Sequence, residues 1–403
     1  MGFQQGLSGL NAASKSLEVT GNNVANSSTV GFKGARAEFA DVYAASLTGG
    51  GSTQVGIGTQ VGAVAQQFTQ GNITASNNPL DIAINGGGFF RMSTNGTINY
   101  SRNGQFQLNK FGNIVNAQGA HLTGYIADSK GVLATGAPTD ITISTADQSA
   151  QATGKVKLLV NLDSREAIPA TTPFNAADST TYNRSTAISV FDSLGNSHVV
   201  QSYFVKTAPN TYDVYGTIDG TATTPPKLGT LTFNPDGSLP KGAPFAVTAA
   251  VTTGANPLNF TVDFNGSTQF GAAFGLNSES QDGFTSGKLS GFSTGADGII
   301  TGRYTNGKSA TLGQVVLANF VDPNGLQNLG NNLYAETSTS GGPLVGVPTS
   351  GGLGVLQSSA VEESNVDLTA ELVNLITAQR FYQANAQTIK TQDQVLQTLV
   401  NLR

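Results

Sequence analysis

The two ends of the chain carry helix-period hydrophobic patterns, whereas the long middle segment reads as short strands and turns. No Gly or Pro interrupts residues 365–403, and Ser364 to Asp367 matches a capping box. We therefore predict one C-terminal helix that starts near residue 365 and is about 50 Å long at about 1.5 Å per residue. Large apolar residues recur in it every seven positions, at Leu368, Leu375, Tyr382, Ile389 and Leu396. A second row of mixed character lies between them, with Leu372, Gln379, Ala386, Asp393 and Val400.

A weaker helix pattern opens the chain, where a three–four spacing connects Leu7, Leu10, Ser14, Leu17, Gly21 and Val24. Gly6, Gly9 and Gly21 each weaken this helix by about 1 kcal/mol relative to Ala. Helices this short are marginal in water, and a two-helix pair buries only one stripe. We therefore expect the lone termini to be largely disordered and to fold when copies of the chain polymerise.

The heptad stripe indicates packing against another helix rather than against a broad globular core. Two arrangements stay open: a hairpin of the two terminal helices within one chain, and contact between copies. The opposite face of the C-terminal helix favours the second, because solvated helix surfaces usually carry many Glu and Lys residues. Here that face is amide-rich, which suits subunit packing or a narrow aqueous channel, with Gln383, Asn385, Gln387, Thr388, Gln392, Gln394 and Gln397.

Between the ends, Asn-Gly and Gly-Asn turns separate short β-type fragments, a strong hairpin signal. A composition change near residue 145 reverses near 284, so the block between them reads as an insertion. We predict a mixed fold, with terminal α-helices forming a coiled-coil-like inner domain and two mainly-β outer domains in a nested, discontinuous plan. The predicted parts are a helical assembly domain (1–35 and 365–403), an extended connector (36–78), an inner β-domain (79–145 and 284–364) and an inserted β-domain (146–283).

The amino-acid composition argues against several classes of protein. Charged residues make up 11% of the chain and the net charge is −5, so the chain lacks the basic surface that a nucleic-acid binder needs. There is no Cys, which rules out disulfides and thiolate metal sites and fits export in an unfolded form. The sequence contains no run of 18 apolar residues, so we predict no membrane-inserted helix. The first residues also lack the pattern of a cleaved signal peptide.

Candidate catalytic patterns are weak, so we predict neither an enzyme nor a bound cofactor or metal. Gly302 to Ser309 matches a P-loop letter for letter, but a strand rather than a helix follows it, and Asn306-Gly307 reads as a hairpin turn. Gly86-Gly87-Gly88 reads as a tight turn before a buried aromatic pair. His121 and His198 lack metal-type spacing, although a Ser-His-Asp triad or a carboxylate pair could still assemble in space.

Three blocks carry a family resemblance. GNNVANSSTVGFKGARAEFADVY, with Asn22, Asn23, Asn26, Gly31, Phe32 and Lys33, resembles the Asn-rich motif of the bacterial flagellar rod and hook family. NPLDIAINGGGFFRM with the strands after it resembles that family's shared β-domain, and ESNVDLTAELVNLITAQRFYQANAQTIK onwards is similar to its C-terminal helix. Within the family, the size and the inserted block are most similar to hook subunits.

The resemblance implies a structural, self-assembling subunit that is exported unfolded by the flagellar type III apparatus and placed in the extracellular hook. Its helices would form the inner wall of a helical tube, and its β-domains would slide so that the curved tube acts as a universal joint for motor torque. The implied partners are other copies, distal rod and hook–filament junction proteins, and the hook cap. The alternatives are a distal rod subunit and, from another class, a secreted β-rich adhesin or hydrolase.

Overall fold

The computed structural model describes residues 2–42, 56–128, 131–144, 146–240 and 244–401. The part of the predicted connector at 43–55, and the predicted boundaries at residues 1, 145 and 403, lie outside the described residues. Two α-helices, α1 (Gly2–Ala25) and α2 (Leu368–Asn401), flank a described chain that is otherwise mostly strands and turns. This confirms the predicted mixed class, with helical ends and mainly-β domains between them.

Helix α2 begins later than the sequence predicts, and a different residue caps it. The Asp367 side-chain Oδ1 accepts hydrogen bonds from the backbone N–H groups of Thr369 at 2.8 Å and Ala370 at 3.2 Å. Asp367 is therefore the cap residue itself rather than the third helical residue of a capping box. Ser364, the predicted cap, accepts instead from the backbone N–H of Val366 at 3.3 Å.

Helices α1 and α2 pack antiparallel within the chain, and two glycines allow their close approach. A Cβ atom on Gly6 would lie 3.0 Å from Ile389 Cγ1, and one on Gly9 would lie 2.6 Å from Asn385 Oδ1. These glycines were predicted only to weaken α1, but they make room for α2. Gly21 differs, because an added Cβ would meet nothing within 4 Å.

A hairpin follows α1 and braces it. Strands β1 (Ala35–Val42) and β2 (Gly58–Gln66) pair antiparallel. Gln5 Nε2 donates to the Gly56 carbonyl at 2.7 Å, and Thr59 N–H donates to Ser8 Oγ at 3.3 Å. Part of the segment predicted as an extended connector (36–78) therefore forms a two-stranded antiparallel sheet that contacts α1.

The same hairpin explains why both helices are formed in the single chain. The prediction of disordered lone termini counted only one buried stripe between two helices. In the structure α1 contacts β1 and β2 as well as α2, and Ala13, Val19, Thr20 and Asn23 are buried. Of the two helix arrangements that the sequence left open, the structure of the single chain has the first, in which α1 and α2 pair within one chain.

The first part of the inner β-structure is built of short antiparallel strands. The Asn95-Gly96 turn has φ values of +50° and +85° and connects two of them, as the Asn-Gly signal predicts. Phe89 and Phe90, which follow the Gly86–Gly88 turn, are both buried. The strands are β3 (Ile73–Ala75), β4 (Ile82–Asn85), β5 (Phe89–Thr94), β6 (Thr97–Ser101), β7 (Gln107–Leu108), β8 (Ile114–Val115), β9 (His121–Ile126) and β10 (Thr139–Asp140).

The inserted block folds around a core of its own, which includes Val160, Phe204, Val214 and Phe260. Its strands are β11 (Lys155–Asn161), β12 (Arg184–Phe191), β13 (Ser197–Ala208), β14 (Thr211–Ile218), β15 (Thr221–Thr232), β16 (Phe245–Ala249), β17 (Leu258–Asp263) and β18 (Gly275–Gln281). They form one sheet in the order β12-β13-β14-β15-β16-β17-β11-β18. The pairing is antiparallel except between β11 and β17.

The chain then returns to the inner β-structure and leads into α2. The strands are β19 (Leu289–Thr294), β20 (Ile299–Tyr304), β21 (Ser309–Val315), β22 (Leu317–Asn319), β23 (Gln327–Gly330), β24 (Leu333–Ala335), β25 (Leu344–Gly346), β26 (Val355–Ser358) and β27 (Ala360–Glu362). Strand β26 pairs with β4 and β27 with β3, both antiparallel. The last strands before α2 therefore run beside the first strands of the inner β-structure.

The chain divides into two compact units. The first comprises residues 1–144, 291–302 and 309–403, and the second comprises 145–290 and 303–308. The helices and the inner β-strands thus share one unit. The finer division into a separate helical domain, connector and inner β-domain stays a prediction.

Candidate assembly site

The Asn-rich motif shapes the turn between α1 and β1. Asn23 is buried, and its side chain pairs with the backbone of Ala35 in both directions: Nδ2 donates to the Ala35 carbonyl at 2.8 Å, and Oδ1 accepts from its N–H at 2.9 Å. Asn26 Nδ2 donates to the carbonyl of Asn22 at 3.0 Å, which closes the last turn of the helix. The Asn23 side chain therefore ties the end of α1 to the first residue of β1.

Gly31 and Phe32 complete the turn. Gly31 has a φ of +72°, and an added Cβ would lie 2.6 Å from the backbone nitrogen of Asn103, so only Gly fits here. Its N–H donates to the Glu362 carbonyl at 2.8 Å, which joins the turn to the end of β27. Phe32 is partly buried, and its N–H donates to the Thr29 carbonyl at 3.2 Å.

A buried triad of charges, which we call the clasp, joins the two ends of the chain: Lys33, Glu362 and Arg102. Lys33 Nζ lies 2.7 Å from Glu362 Oε1, and both side chains have no exposed surface. Arg102 Nη2 lies 3.0 Å from Glu362 Oε2, and Arg102 Nη1 donates to the carbonyls of Gly86 at 3.0 Å and Gly88 at 2.5 Å. The Gly86–Gly88 turn therefore holds an arginine rather than a phosphate.

The charges of the clasp shift the pKa values of its members. Burial is the main cause that lowers the pKa of Lys33, and repulsion from Arg102 adds to it. Burial opposes ionisation of Glu362, but Arg102 and Lys33 outweigh it and lower the pKa of that carboxyl. Glu362 thus lies as an anion between two buried cations, and the clasp depends on its charge.

Asn365 extends the clasp towards α2. Its Oδ1 accepts from the Gly34 N–H at 2.8 Å, and its Nδ2 donates to the carbonyls of Gln67 at 2.6 Å and Thr69 at 3.2 Å. Lys33 Nζ also donates to the Thr69 carbonyl, at 2.7 Å. One cluster of side chains therefore fixes where α1 ends and where α2 begins.

The predicted helix-seam residues divide into two groups in the single chain. Partly buried are Leu10, Leu17, Val24, Leu375 and Ile389. Exposed are Leu7, Leu368, Leu372, Tyr382, Leu396 and Val400. The pattern therefore finds part of the intramolecular pair, and the role of the exposed residues as contacts between copies stays a prediction.

Within the single chain, the second row of α2 that packs on α1 lies one residue before the predicted second row. Ala378 is buried and Glu371, Asn385 and Gln392 are partly buried, whereas Leu372 and Val400 of the predicted row are exposed. Small or polar residues occupy the seam because α1 presents Gly6, Gly9 and Ala13 to it. Asn385 and Gln392 consequently leave the amide-rich exposed face, which keeps Gln383, Gln387, Thr388, Gln394 and Gln397.

Large apolar side chains remain exposed along both helices. On α1 they are Phe3 and Leu7, and on α2 they are Leu368, Leu372, Val373, Ile376, Phe381, Tyr382, Val395, Leu396 and Val400. Phe381 is 60% exposed and Val400 is 73% exposed. Exposed apolar surface of this extent is typical of interaction sites.

The candidate catalytic patterns lie in structural settings. Gly302–Ser309 connects β20 to β21 through a turn, so it is a hairpin, as the sequence predicts, and not a strand–helix P-loop. Within the described ranges no cluster of His, Asp and Glu could hold a metal ion, and none of the described helices is long and apolar enough to cross a membrane. His121 Nδ1 lies 2.6 Å from Asp140 Oδ2 at the β9–β10 pair.

His198 in the second unit is held between two carboxylates. Its Nδ1 lies 2.6 Å from Asp219 Oδ2, and its Nε2 lies 3.2 Å from Asp192 Oδ2. Both ring nitrogens are therefore occupied, and neither is free to accept a proton from a serine. Burial opposes protonation of the ring, but the hydrogen bonds to Asp219 and Asp192 outweigh it and raise the pKa of His198.

We expect the stability around His198 to fall as the pH rises. Because the folded pKa lies above the ordinary value of about 6.5, the contribution is complete below that pH and is lost as the pH passes the raised folded value. Every tenfold gain in proton affinity on folding is equivalent to about 1.4 kcal/mol. Hydrogen exchange of peptides covering residues 192–200 and 217–223, followed from pH 5 to 9, measures this loss. His198→Gln should abolish the pH slope and His121→Gln should keep it; an equal slope in His198→Gln would contradict the assignment.

The fold and the clasp define a class of protein: a chain whose two ends are fastened together and present unpartnered apolar helix surface, as in the subunit of a helical polymer. Family models match along most of the chain: a flagella basal body rod protein model at residues 3–33, a flagellar hook protein FlgE/F/G D1 domain at 83–158, a flagellar basal body protein FlaE D2 domain at 161–284, and a flagellar basal body rod FlgEFG protein C-terminal model at 357–402.

Relatives that match over their full length indicate the same family as these models. The chain is 44% identical to the flagellar hook protein FlgE of Salmonella typhimurium and 43% identical to that of Escherichia coli. Each match covers 100% of this chain and 100% of the relative. The crystal structure of Helicobacter pylori flagellar hook protein FlgE2 has the same fold over 72% of this chain and 100% of its own, at a TM-score of 0.53 and 15% identity. The chain belongs to the flagellar hook protein FlgE family.

Sequence reasoning named Lys33 but missed Glu362, Arg102 and Asn365. The one signal for Glu362 and Arg102 is the rarity of charge: with only 11% charged residues, a charge beside or inside a strand pattern stands out. Arg102 follows β6 directly and Glu362 ends β27. The pairing of residues 329 positions apart, as for Lys33 and Glu362, has no local signature.

Proposed function

We propose that this chain, a structural subunit of the bacterial flagellar hook, polymerises through its terminal helices into a curved, flexible tube that transmits motor torque to the filament. The hook is the part of the flagellum that extends beyond the basal body outside the cell. The observation that carries the proposal is the exposed apolar surface of α2, from Leu368 to Val400. No described segment of the chain covers it, and copies of the same helix supply a partner of matching chemistry.

Rigidity and compliance belong to different parts of the subunit in this proposal. The clasp and the helix pair make the wall of the tube, because buried ion pairs hold one geometry. Surfaces with few charges can exchange neighbours with little desolvation penalty, so compliance lies in the contacts of the β-structure. The hairpin at residues 35–66 is braced on α1 and so contributes to the wall rather than to bending.

A deletion tests this division of labour. The backbones of Gln151 and Phe284 are hydrogen bonded to each other in both directions at 3.0 Å. A Gly-Gly turn that joins these two residues therefore removes 152–283 with little strain. We expect the shortened chain to form tubes whose curvature or bending stiffness differs from that of tubes of the full chain, as seen by negative-stain electron microscopy. Loss of all polymerisation, or tubes of unchanged shape, would contradict the proposal.

The alternatives have less support. The match to hook proteins over the whole length favours a hook subunit over a distal rod subunit, and a tube that is straight and rigid would reverse that preference. A secreted adhesin or hydrolase does not require helical ends, and the relatives are structural flagellar proteins that indicate no catalytic activity. We therefore propose no enzymatic role.

The finer partner assignments are part of the same proposal. Besides its own copies, the subunit would contact distal rod proteins at one end of the hook and hook–filament junction proteins at the other, and would add beneath the hook cap. Export through the flagellar type III apparatus requires an unfolded chain. The absence of Cys suits that route, because no disulfide can form before export.

A further inference from the structure

An open cleft of about 570 Å³ lies in the first unit between α1, the start of β1 and the first half of α2. Its walls are mostly polar or small side chains, among them Thr20, Asn23, Asn374 and Ala378. Two acidic residues, Asp367 and Glu371, also line it. The cleft borders the clasp at Thr69 and Asn365, but none of the three charged side chains of the clasp lines it.

Glu371 is the unusual member of this lining. Its Oε2 atom is buried and has no hydrogen-bond partner. A buried, unpaired carboxylate oxygen destabilises a folded chain, so its presence needs an explanation. Asp367 differs, because its Oδ1 already caps α2.

The helices carry cations that lack a partner. Among the described helical residues, Lys15 Nζ lies 2.9 Å from Glu18 Oε2. The side-chain nitrogens of Arg380 and Lys390 have no described carboxylate oxygen within 4.0 Å. Arg36 lines the cleft but likewise makes no salt bridge in the described part of the chain. Glu371 thus lies near the start of α2 and the two unpaired cations lie farther along the same helix, where Asp393 accepts a hydrogen bond from Gln397 at 3.0 Å.

We propose that the cleft receives a basic side chain, Arg380 or Lys390, from α2 of a second copy of this chain, and that this cation pairs with Glu371. The inference rests on the proposed polymerisation and adds the contact that orients it. Acid and base lie at different heights on one helix, so the contact joins unlike surfaces of two copies displaced along the helix axis. Contacts of this kind build open polymers rather than closed dimers.

Charge reversal tests the pairing. Glu371→Lys should raise the critical concentration for tube formation at least about 30-fold, because like charges then meet in the cleft. Lys390→Glu or Arg380→Glu should do the same if that residue is the partner. Mixing Glu371→Lys with the matching variant should restore tubes, since each contact between unlike variants again joins opposite charges. Failure of both mixtures to assemble would overturn the proposal and would favour pairing within the chain with Arg36.

Further variants separate folding from assembly. Glu371→Gln should leave the free chain at least as stable to urea, because an unpaired charge is removed, yet raise the critical concentration about tenfold. Glu363→Lys, an exposed acid outside the cleft, should change neither. If the unaltered chain forms no tubes, the proposed function fails. If the unaltered chain and Glu371→Lys form tubes equally well, only the cleft contact is wrong.

Discussion

Glu362→Gln is expected to destabilise the helix-bearing unit by about 3–5 kcal/mol, because it leaves two buried cations without an anion. Lys33 and Arg102 would face each other across an amide whose N–H₂ group can satisfy neither. Lys33→Met should lower the free energy of unfolding by less than Glu362→Gln does, because Arg102 and Glu362 remain as a pair with no net charge. Urea unfolding of the full chain, followed by hydrogen exchange of peptides from residues 22–42 and 355–370, measures the loss.

The neighbouring acid provides the matched control. Glu363 is exposed and reaches Asn72 Nδ2 at 3.3 Å, so Glu363→Gln should change the free energy of unfolding by less than about 0.5 kcal/mol. The double variant Lys33→Met with Glu362→Gln should lose less than the sum of the single losses, because only one buried cation is left. Additive losses, or a Glu362→Gln chain as stable as the parent, would show that the clasp is not a coupled unit.

Leu372→Asp and Leu396→Asp are expected to abolish tube formation while leaving the single chain folded. Both leucines are exposed in the chain, at 45% and 53%, so the charge is solvated until copies assemble. Each variant then loses about 1.5–3 kcal/mol of apolar burial and must also desolvate a carboxylate. The critical concentration should rise at least about 100-fold, as measured by sedimentation and electron microscopy.

Leu372→Met and Leu396→Met are the controls, since they keep the apolar volume and should assemble within a few-fold of the parent. Circular dichroism should give the same helix content for all four variants. Tubes of normal length from both Asp variants would mean that these faces of α2 do not lie between copies.

The helical ends and the hairpin turns could be predicted from the sequence because their signals are local. Asn95-Gly96 marks a turn by its own backbone preferences, and an uninterrupted run of helix formers marks α2. The seam between the helices was predicted less well, because hydrophobic patterns rank large residues first. This seam uses Gly6, Gly9 and Ala378, whose value lies in allowing close approach, and leaves Leu372 outside.

The clasp could not have been predicted from local patterns. A lysine in a turn and a glutamate at a strand end are ordinary separately, and only the return of the chain beside itself brings Lys33 and Glu362 together. The cap of α2 shows the same limit at short range. Ser364 and Asp367 both suit the cap position, and the side-chain bonds of Asn365 decide between them by holding the preceding residues outside the helix.

The hydrogen-bonded closure at Gln151 and Phe284 has a practical consequence. Because the chain leaves and returns at neighbouring points, the block between them is a replaceable cassette. A foreign domain whose own termini lie about 5 Å apart, the spacing of paired strands, could be spliced in there. Every subunit of an assembled tube would then carry one copy, which would turn the polymer into a regularly spaced display lattice for enzymes or antigens.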